Sequence, residues 1–113
     1  MGDAQRHVGA SGLVVSATGL GCNNFGRAGT ATETLEGTRA VLDAAREHGV
    51  FFLDTADIYG KEPGLSESLM GEALLGHRDE VVLATKFGHT AGMGVDFPGG
   101  RGSRRYVRFA VEQ

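Results

Sequence analysis

Two short runs of the sequence, residues 50–53 and 81–85, are apolar almost without interruption. Apolar runs without polar alternation are typical of strands that are covered on both faces. Residues 18–22 form a third candidate strand, with small side chains. Nearer the amino terminus, the turn-rich tetrad 9–12 separates residues 7–8 from 13–15, which predicts a short β-hairpin.

Segments with helical periodicity lie between the candidate strands. Between residues 32 and 48, side chains at three- and four-residue spacing form one inward face, namely Leu35, Thr38, Val41, Leu42 and Ala45. We predict that this helix begins with a capping box of Thr30 and Glu33, or with Thr32 alone as the cap. Gly49 suits the left-handed position that ends a helix.

A second, shorter helix is predicted to open at Ser66 and to end at Gly76. Its inward face would comprise Leu69, Met70, Ala73 and Leu74. A glycine-rich loop over 88–102 precedes a third helix, which Ser103 caps and within which the chain ends at Gln113.

Strands that alternate with helices predict right-handed crossovers and a parallel sheet, hence an α/β fold. Side chains of this sheet are expected to face further strands that these 113 residues do not supply, namely Phe51, Leu53, Val82 and Ala84. Unpaired apolar edges invite pairing with other chains, so we expect marginal stability and possible self-association through the open edges.

Composition narrows the function classes. The chain has 11 basic and 14 acidic residues, a net charge of −3, which gives no reason to expect nucleic acid or a membrane as partner. Arg101, Arg104, Arg105 and Arg108 form a local basic cluster, which we interpret as a solvated face rather than a phosphate site. The single Cys22 and the absence of an apolar amino-terminal signal core indicate a cytoplasmic protein.

The candidate chemistry lies where strands end. Asp54 and Lys86 are the first strongly polar residues after two buried strands, and Tyr59 follows Asp54 by five positions. In parallel α/β architectures, functional groups collect at the carboxyl ends of strands. An ammonium stabilises a nearby phenolate, and a carboxylate can keep that ammonium charged and oriented. Such a tyrosine could protonate a carbonyl oxygen while hydride arrives at the carbon.

Each residue also has an ordinary explanation. An aspartate after a strand is often a turn or cap residue, which is our interpretation of Asp57 as well. A lysine at a strand end is often solvated, and His89 is interpreted as a loop histidine. No spacing of His, Cys or acidic residues matches a metal site.

Several motifs together resemble the amino-terminal part of the aldo-keto reductase family. They occur in order over nearly the whole chain, at 18–26 (TGLGCNNFG), 49–60 (GVFFLDTADIYG), 66–67 (SE) with 69–74 (LMGEAL), and 81–88 (VVLATKFG). The resemblance implies that residues 1–113 are the amino-terminal portion of an aldo-keto reductase domain. The fold it implies is an amino-terminal hairpin followed by the first three βα units of a (β/α)8 TIM barrel, here an incomplete barrel.

The resemblance also implies an activity and a site. The family reduces aldehydes and ketones with NADPH, and its catalytic set is Asp, Tyr, Lys and His. Asp54, Tyr59 and Lys86 match three members of that set. The segment that approaches the nicotinamide is matched by Gly21, Cys22 and Asn23.

The catalytic histidine of the family follows the next strand, beyond Gln113. That position is occupied by none of His7, His48, His77 and His89. Three hypotheses therefore remain: part of an NADPH-dependent reductase acting on a small carbonyl substrate, a non-catalytic binding module, or a structural remnant derived from such an enzyme.

Overall fold

The chain begins with an antiparallel hairpin at its amino terminus. The computed structural model describes residues 4–89 and 100–113, so most of the predicted loop 88–102 lies outside the described residues. Strands β1 (Gln5–His7) and β2 (Val14–Ser16) pair with each other. The predicted hairpin is present. Val8 donates its N–H to the carbonyl of Leu13 at 2.9 Å, so residues 9–12 form the turn as predicted. Within it, the hydroxyl and the N–H of Ser11 both donate to the carbonyl of Val8, at 2.6 and 3.1 Å.

Three parallel strands form the main sheet, in the order β3 (Gly19–Gly21), β4 (Phe52–Asp54) and β5 (Val82–Ala84). Helix α1 (Leu35–Glu47) connects β3 to β4, and α2 (Leu65–Ala73) connects β4 to β5. A one-turn 3-10 helix (Arg78–Glu80) precedes β5, and α3 (Arg104–Val111) follows it. The predicted parallel alternation of strands and helices is confirmed. The 3-10 turn was not predicted, because three polar residues carry no periodic signal.

The start of α1 differs from both predicted caps. Thr34 is the N-cap, and its hydroxyl accepts the N–H of Gly37 at 3.1 Å. The two threonines predicted as caps stabilise the preceding loop instead. The hydroxyl of Thr30 donates to the carbonyl of Arg27 at 2.8 Å, and the hydroxyl of Thr32 donates to the carbonyl of Asn24 at 2.7 Å. At the other end of α1, Gly49 has the predicted left-handed conformation, with φ 73°.

Helix α2, unlike α1, begins earlier than predicted. Gly64 is its N-cap, with φ 86°, and Ser66 lies inside the first turn, where it is fully buried. Helix α2 ends at its C-cap, Leu74, two residues before Gly76 takes a left-handed φ of 83°. The predicted cap of α3 is confirmed, since the hydroxyl of Ser103 accepts the N–H of Tyr106 at 3.2 Å.

The core lies between the sheet and the helices. Leu53 is 1% exposed and belongs to one cluster with Leu42 of α1 and Met70 of α2, and Phe51 packs against that cluster. The full cluster consists of Cys22, Phe25, Leu42, Leu53, Met70, Ala73, Leu74 and Val81.

The prediction that Phe51 and Leu53 face away from this core is therefore wrong. Alternate residues of a strand point to opposite faces, so these two share the helix-covered face. Val82 and Ala84 are the register partners of Phe52 and Asp54, and they lie on the opposite face. Only this second pair occupies the predicted open side of the sheet.

The hairpin is attached at the amino ends of the strands. The hydroxyl of Ser16 accepts the N–H groups of Phe51 and Phe52, at 3.1 and 3.0 Å, and donates to the carbonyl of Thr18 at 2.7 Å. This arrangement leaves the carboxyl ends of the three strands accessible. Within the described ranges, none of the helices is long and apolar enough to cross a membrane.

Candidate active site

Asp54 and Lys86 meet at the carboxyl ends of β4 and β5. Asp54 is the last residue of β4, and Lys86 lies two residues beyond the end of β5, hence on the same face as Ala84 and Asp54. The Lys86 Nζ donates to Asp54 Oδ1 at 2.9 Å. It also donates to the carbonyl of Thr55 at 3.0 Å. The predicted convergence of these two charged groups is thus present in the structure.

The main chain continues the pairing of β4 and β5 beyond the regular strands. Thr55 donates its N–H to the carbonyl of Ala84 at 2.9 Å, and Asp57 donates its N–H to the carbonyl of Lys86 at 3.1 Å. Lys86 therefore holds the segment after β4 twice, with its carbonyl and with its amine. Because the backbone on both sides is fixed, the amine has a defined position beside the carboxylate.

Tyr59 completes the cluster. The Lys86 Nζ lies 5.4 Å from the centroid of its ring. Tyr59 is held by its backbone: its N–H donates to the carbonyl of Ala56 at 3.2 Å, and its carbonyl accepts the N–H of Ser66 at 3.0 Å. The three residues predicted to be catalytic, Asp54, Tyr59 and Lys86, therefore lie side by side.

The electrostatics favour a charged amine. The hydrogen bond from Lys86 to Asp54 raises the pKa of the lysine above its ordinary 10.5, and the charge of Asp54 and the Tyr59 phenol act in the same direction against partial desolvation. The side chains of Lys86 and Asp54 are 51% and 49% exposed. A permanent ammonium thus lies within reach of a ligand at the surface.

The three residues predicted to approach a cofactor differ in exposure. Gly21 is the register partner of Asp54 and is exposed, as is Asn23. The Asn23 Oδ1 lies 3.9 Å from the point that a Cβ on Gly21 would occupy. Gly21 and Asn23 therefore form one accessible surface beside Asp54.

Cys22, between them, is turned into the core. It has no exposed surface; its thiol donates to the carbonyl of Leu20 at 3.4 Å, and its N–H donates to that of Asp54 at 2.9 Å. Burial raises the pKa of the Cys22 thiol to about 11, so the thiol is protonated and unreactive at neutral pH. Contact with a ligand is expected from Gly21 and Asn23 rather than from this side chain.

A buried pair of hydroxyls supports the site and was not predicted. Ser66 and Thr55 are 3.0 Å apart at their side-chain oxygens, and Ser66 Oγ donates to the carbonyl of Cys22 at 2.9 Å. One side chain of α2 thereby connects the ends of β3 and β4. No local sequence pattern indicates this pair, because Thr55 and Ser66 each lie among other polar residues, and Ser66 was interpreted as the start of a helix.

A cavity of about 340 Å³ opens next to Tyr59 and Lys86. It is lined by Ala56, Asp57, Ile58, Tyr59, Lys86, Phe87, Gly88 and His89. The carboxyl group of Asp57 is largely buried, and this burial raises its pKa, while the charge of His89 opposes the increase.

The described residues contain no group of His, Cys and acidic side chains that could hold a metal ion.

Comparison with known proteins gives a consistent result. The model of the family described as "Aldo/keto reductase family" matches residues 17–113. Two curated relatives are each 35% identical over 96% of the chain: the "Uncharacterized oxidoreductase YqkF" of Bacillus subtilis and the "L-glyceraldehyde 3-phosphate reductase" of Escherichia coli. The chain spans 33% and 31% of their lengths, respectively.

A solved structure shares the same architecture. The aldo-keto reductase AKR11C1 from Bacillus halodurans, in its holo form, superposes with a TM-score of 0.77 at 35% identity. The superposition covers 96% of this chain and 34% of that protein. The predicted fold class, a hairpin followed by the first units of a barrel, is thereby confirmed.

Proposed function

This chain belongs to the aldo-keto reductase family, and from that premise we propose that it carries the Asp–Tyr–Lys part of a site that reduces aldehydes or ketones to alcohols with NADPH. The proposal depends on one observation above all, the contact of 2.9 Å between Lys86 and Asp54 beside the ring of Tyr59. The names of two relatives agree with an oxidoreductase, and one of them is named for reducing an aldehyde.

The three side chains would have different roles in the proton transfer. Reduction places negative charge on the carbonyl oxygen, which must receive a proton. Tyr59 is the only one of the three whose side chain carries a hydroxyl group that can donate a proton. The Lys86 ammonium, held by Asp54, stabilises the phenolate that remains after the transfer. Asp54 itself accepts no proton in this scheme but orients and maintains the positive charge.

The residues next to this cluster fit a flat cofactor ring. Gly21 has no side chain and is open to solvent, and Asn23 offers an amide beside it. We propose that these two residues contact the nicotinamide of NADPH, which supplies the hydride. Cys22 fixes their position through its backbone hydrogen bond to Asp54. A cytoplasmic location, where the single thiol would stay reduced, belongs to the same proposal.

Substitution of the proton donor and of its activator tests the proposal. Tyr59→Phe removes only the hydroxyl, and Lys86→Met removes only the charge. Each is expected to lower the rate of aldehyde-dependent NADPH oxidation by about 100-fold or more, the usual range for loss of positioned acid catalysis. The measurement is the decrease of NADPH absorbance with and without aldehyde.

Lys61→Met provides a matched control. Lys61 is also 51% exposed at its side chain and also pairs with a carboxylate, at 3.2 Å, but its partner is Glu33 and not Asp54. Its substitution is expected to leave the rate within about twofold, because exposed ion pairs contribute little to stability. Equal turnover of Tyr59→Phe and the unmodified chain would refute the proposed role of the phenol. Absence of turnover in the unmodified chain would favour the alternative of a non-catalytic module.

A further inference from the structure

Asp57 is a buried acidic residue beside the candidate active site. The residue is 8% exposed and lines the cavity next to Tyr59 and Lys86. Its backbone N–H is fixed to the carbonyl of Lys86. Its Oδ2 is buried, and over residues 4–89 and 100–113 no hydrogen-bond partner reaches that atom. Buried polar atoms in native proteins nearly always have a hydrogen-bond partner, so we expect a bound molecule to supply one for this oxygen.

Lys86 does not supply that partner. Its amine donates to Asp54 and to the carbonyl of Thr55, and no hydrogen bond joins it to Asp57 Oδ2. His89 influences Asp57 through its charge. The remaining neighbours in the cavity wall include Ala56, Ile58 and Phe87, whose side chains cannot form hydrogen bonds.

A hydroxyl group fits the missing partner best. A carboxylate needs a donor and a neutral carboxyl group offers one, so only a group that both donates and accepts suits Asp57 in either protonation state. An ammonium could serve only the charged form and would be repelled by Lys86. A carboxylate or phosphate would be repelled by Asp57 itself. The apolar wall favours a small, uncharged substituent.

We propose that Asp57 binds a hydroxyl group of the carbonyl substrate, so that the preferred substrates are small hydroxy-aldehydes or hydroxy-ketones. The inference deepens the proposed function and rests on it. A volume of about 340 Å³ falls at the small end of the range for ligand pockets. The carbonyl would lie at Tyr59, and the hydroxyl would lie deeper, at the carboxyl group of Asp57.

The test compares two aldehydes that differ in one hydroxyl group, 2-hydroxypropanal and propanal. With the unmodified chain, kcat/KM is expected to be about 10- to 100-fold higher for the hydroxylated compound, the effect of one hydrogen bond to a buried carboxyl group. Asp57→Val should reduce this ratio to about one, because it removes the polar partner. Asp57→Asn, which can still donate and accept, should retain most of the preference.

Asp79→Asn is the matched control, since Asp79 is an exposed acid in the 3-10 turn. It should change neither the ratio nor the rate. Propanal reduced as well as 2-hydroxypropanal by the unmodified chain would overturn the inference while leaving the proposed reductase activity intact. An unchanged ratio in Asp57→Val would also overturn it.

A second readout does not depend on turnover. Carbon-13 NMR of the Asp57 carboxyl group can follow titration with 1,2-propanediol and with 1,2-dimethoxypropane, its dimethyl ether, which has no hydroxyl group. A shift that the diol causes and the ether does not would support the hydroxyl site even if neither aldehyde is reduced, in which case only the proposed activity fails. Equal shifts with both compounds would exclude a hydroxyl site at Asp57.

Discussion

At the residue scale, Lys86 and Asp57 illustrate two different uses of charge. The Lys86–Asp54 pair is half-exposed, and exposed ion pairs typically contribute only about 0–1 kcal/mol to stability. Its fixed geometry is therefore better explained by chemistry than by stability. Asp57 is the reverse case, because its burial destabilises the charged form that prevails in water at neutral pH.

The raised pKa of Asp57 gives a stability prediction with a definite sign. A group with a raised folded pKa contributes its full stability below the unfolded value, here 3.8, and loses it as the pH rises through the folded value. Asp57→Asn should therefore match the unmodified chain in Tm under strongly acidic conditions and exceed it near neutral pH. The measurement is Tm by circular dichroism across this range.

Asp79→Asn serves again as the comparison, and its Tm difference from the unmodified chain should show no such trend with pH. An Asp57→Asn chain that is less stable near neutral pH would show that the carboxylate has a favourable partner. A gain in stability would indicate that Asp57 is maintained for binding, because functional groups are commonly retained at some cost to stability.

At the element scale, the buried hydroxyl of Ser66 connects α2 to β3 and β4. Ser66→Ala would leave Thr55 Oγ1 and the Cys22 carbonyl without this contact. We expect the free energy of unfolding to fall by about 1–3 kcal/mol, the typical cost of leaving buried polar groups unpaired. Urea denaturation measures it. Ser68→Ala, an exposed change on the same helix, should stay within about 0.5 kcal/mol, and equal losses in both variants would contradict the connecting role.

The loop that carries Tyr59 depends on Gly60. Gly60 has φ 113°, and a Cβ there would lie 2.7 Å from the Cβ of Leu65. Gly64 has a similar positive φ of 86°, but a Cβ there would meet no atom within 4 Å. Gly64→Ala is thus expected to cost about 1–2 kcal/mol from backbone conformation alone, and Gly60→Ala more.

The difference between these two alanine variants isolates the contact with Leu65. Thermal or urea unfolding of both chains measures it, and activity should fall further in Gly60→Ala because Tyr59 is the preceding residue. Equal stability of the two variants would mean that Leu65 moves aside at no cost.

Apolar runs and helical spacing predicted the elements well, but not their faces or their first turns. Residues 50–53 and 81–85 are apolar on both sides of the strand, so the sequence does not distinguish the face of Leu53 from that of Val82. The start of α1 was misplaced because Thr30, Thr32 and Thr34 are equally good caps by type. Only the carbonyls of Arg27 and Asn24, which take up the first two hydroxyls, decide between them.

The residues of the candidate site were easier to predict than their supports. Asp54 and Lys86 lie at or just after the ends of buried strands, Tyr59 follows Asp54 by five positions, and the order of parallel strands brings such positions together. The buried environments of Asp57 and Ser66 depend on packing between segments that are distant in sequence, and no local pattern encodes that packing.

At the scale of the whole molecule, one face of the sheet is left partly open. Phe52, Val82 and Ala84 on this face are only half-buried, and within the described ranges the outer edges of β3 and β5 pair with no further strand. Apolar edges of this kind promote association between chains. We propose that the isolated chain of 113 residues self-associates through this face and these edges.

Sedimentation velocity at micromolar concentration should therefore give a mass above the 11.8 kDa of one chain. Val82→Glu places a charge on the open face and should shift the distribution towards the monomer. Leu75→Glu, at a residue that is already 76% exposed, should not. A purified monomer that unfolds cooperatively on heating would contradict both the association and the expected marginal stability.

Lys86 binds the segment after β4 with both its carbonyl and its amine, so formation of the Asp54–Lys86 pair depends on correct folding. Asp54 and Lys86 are 32 positions apart, and a slip of one residue between β4 and β5 would turn them to opposite sides of the sheet. No partly assembled chain can present the acid–amine pair. Formation of that pair therefore indicates that β4 and β5 are paired in the correct register. A ligand that recognises the pair would bind natively paired chains in preference to misfolded ones.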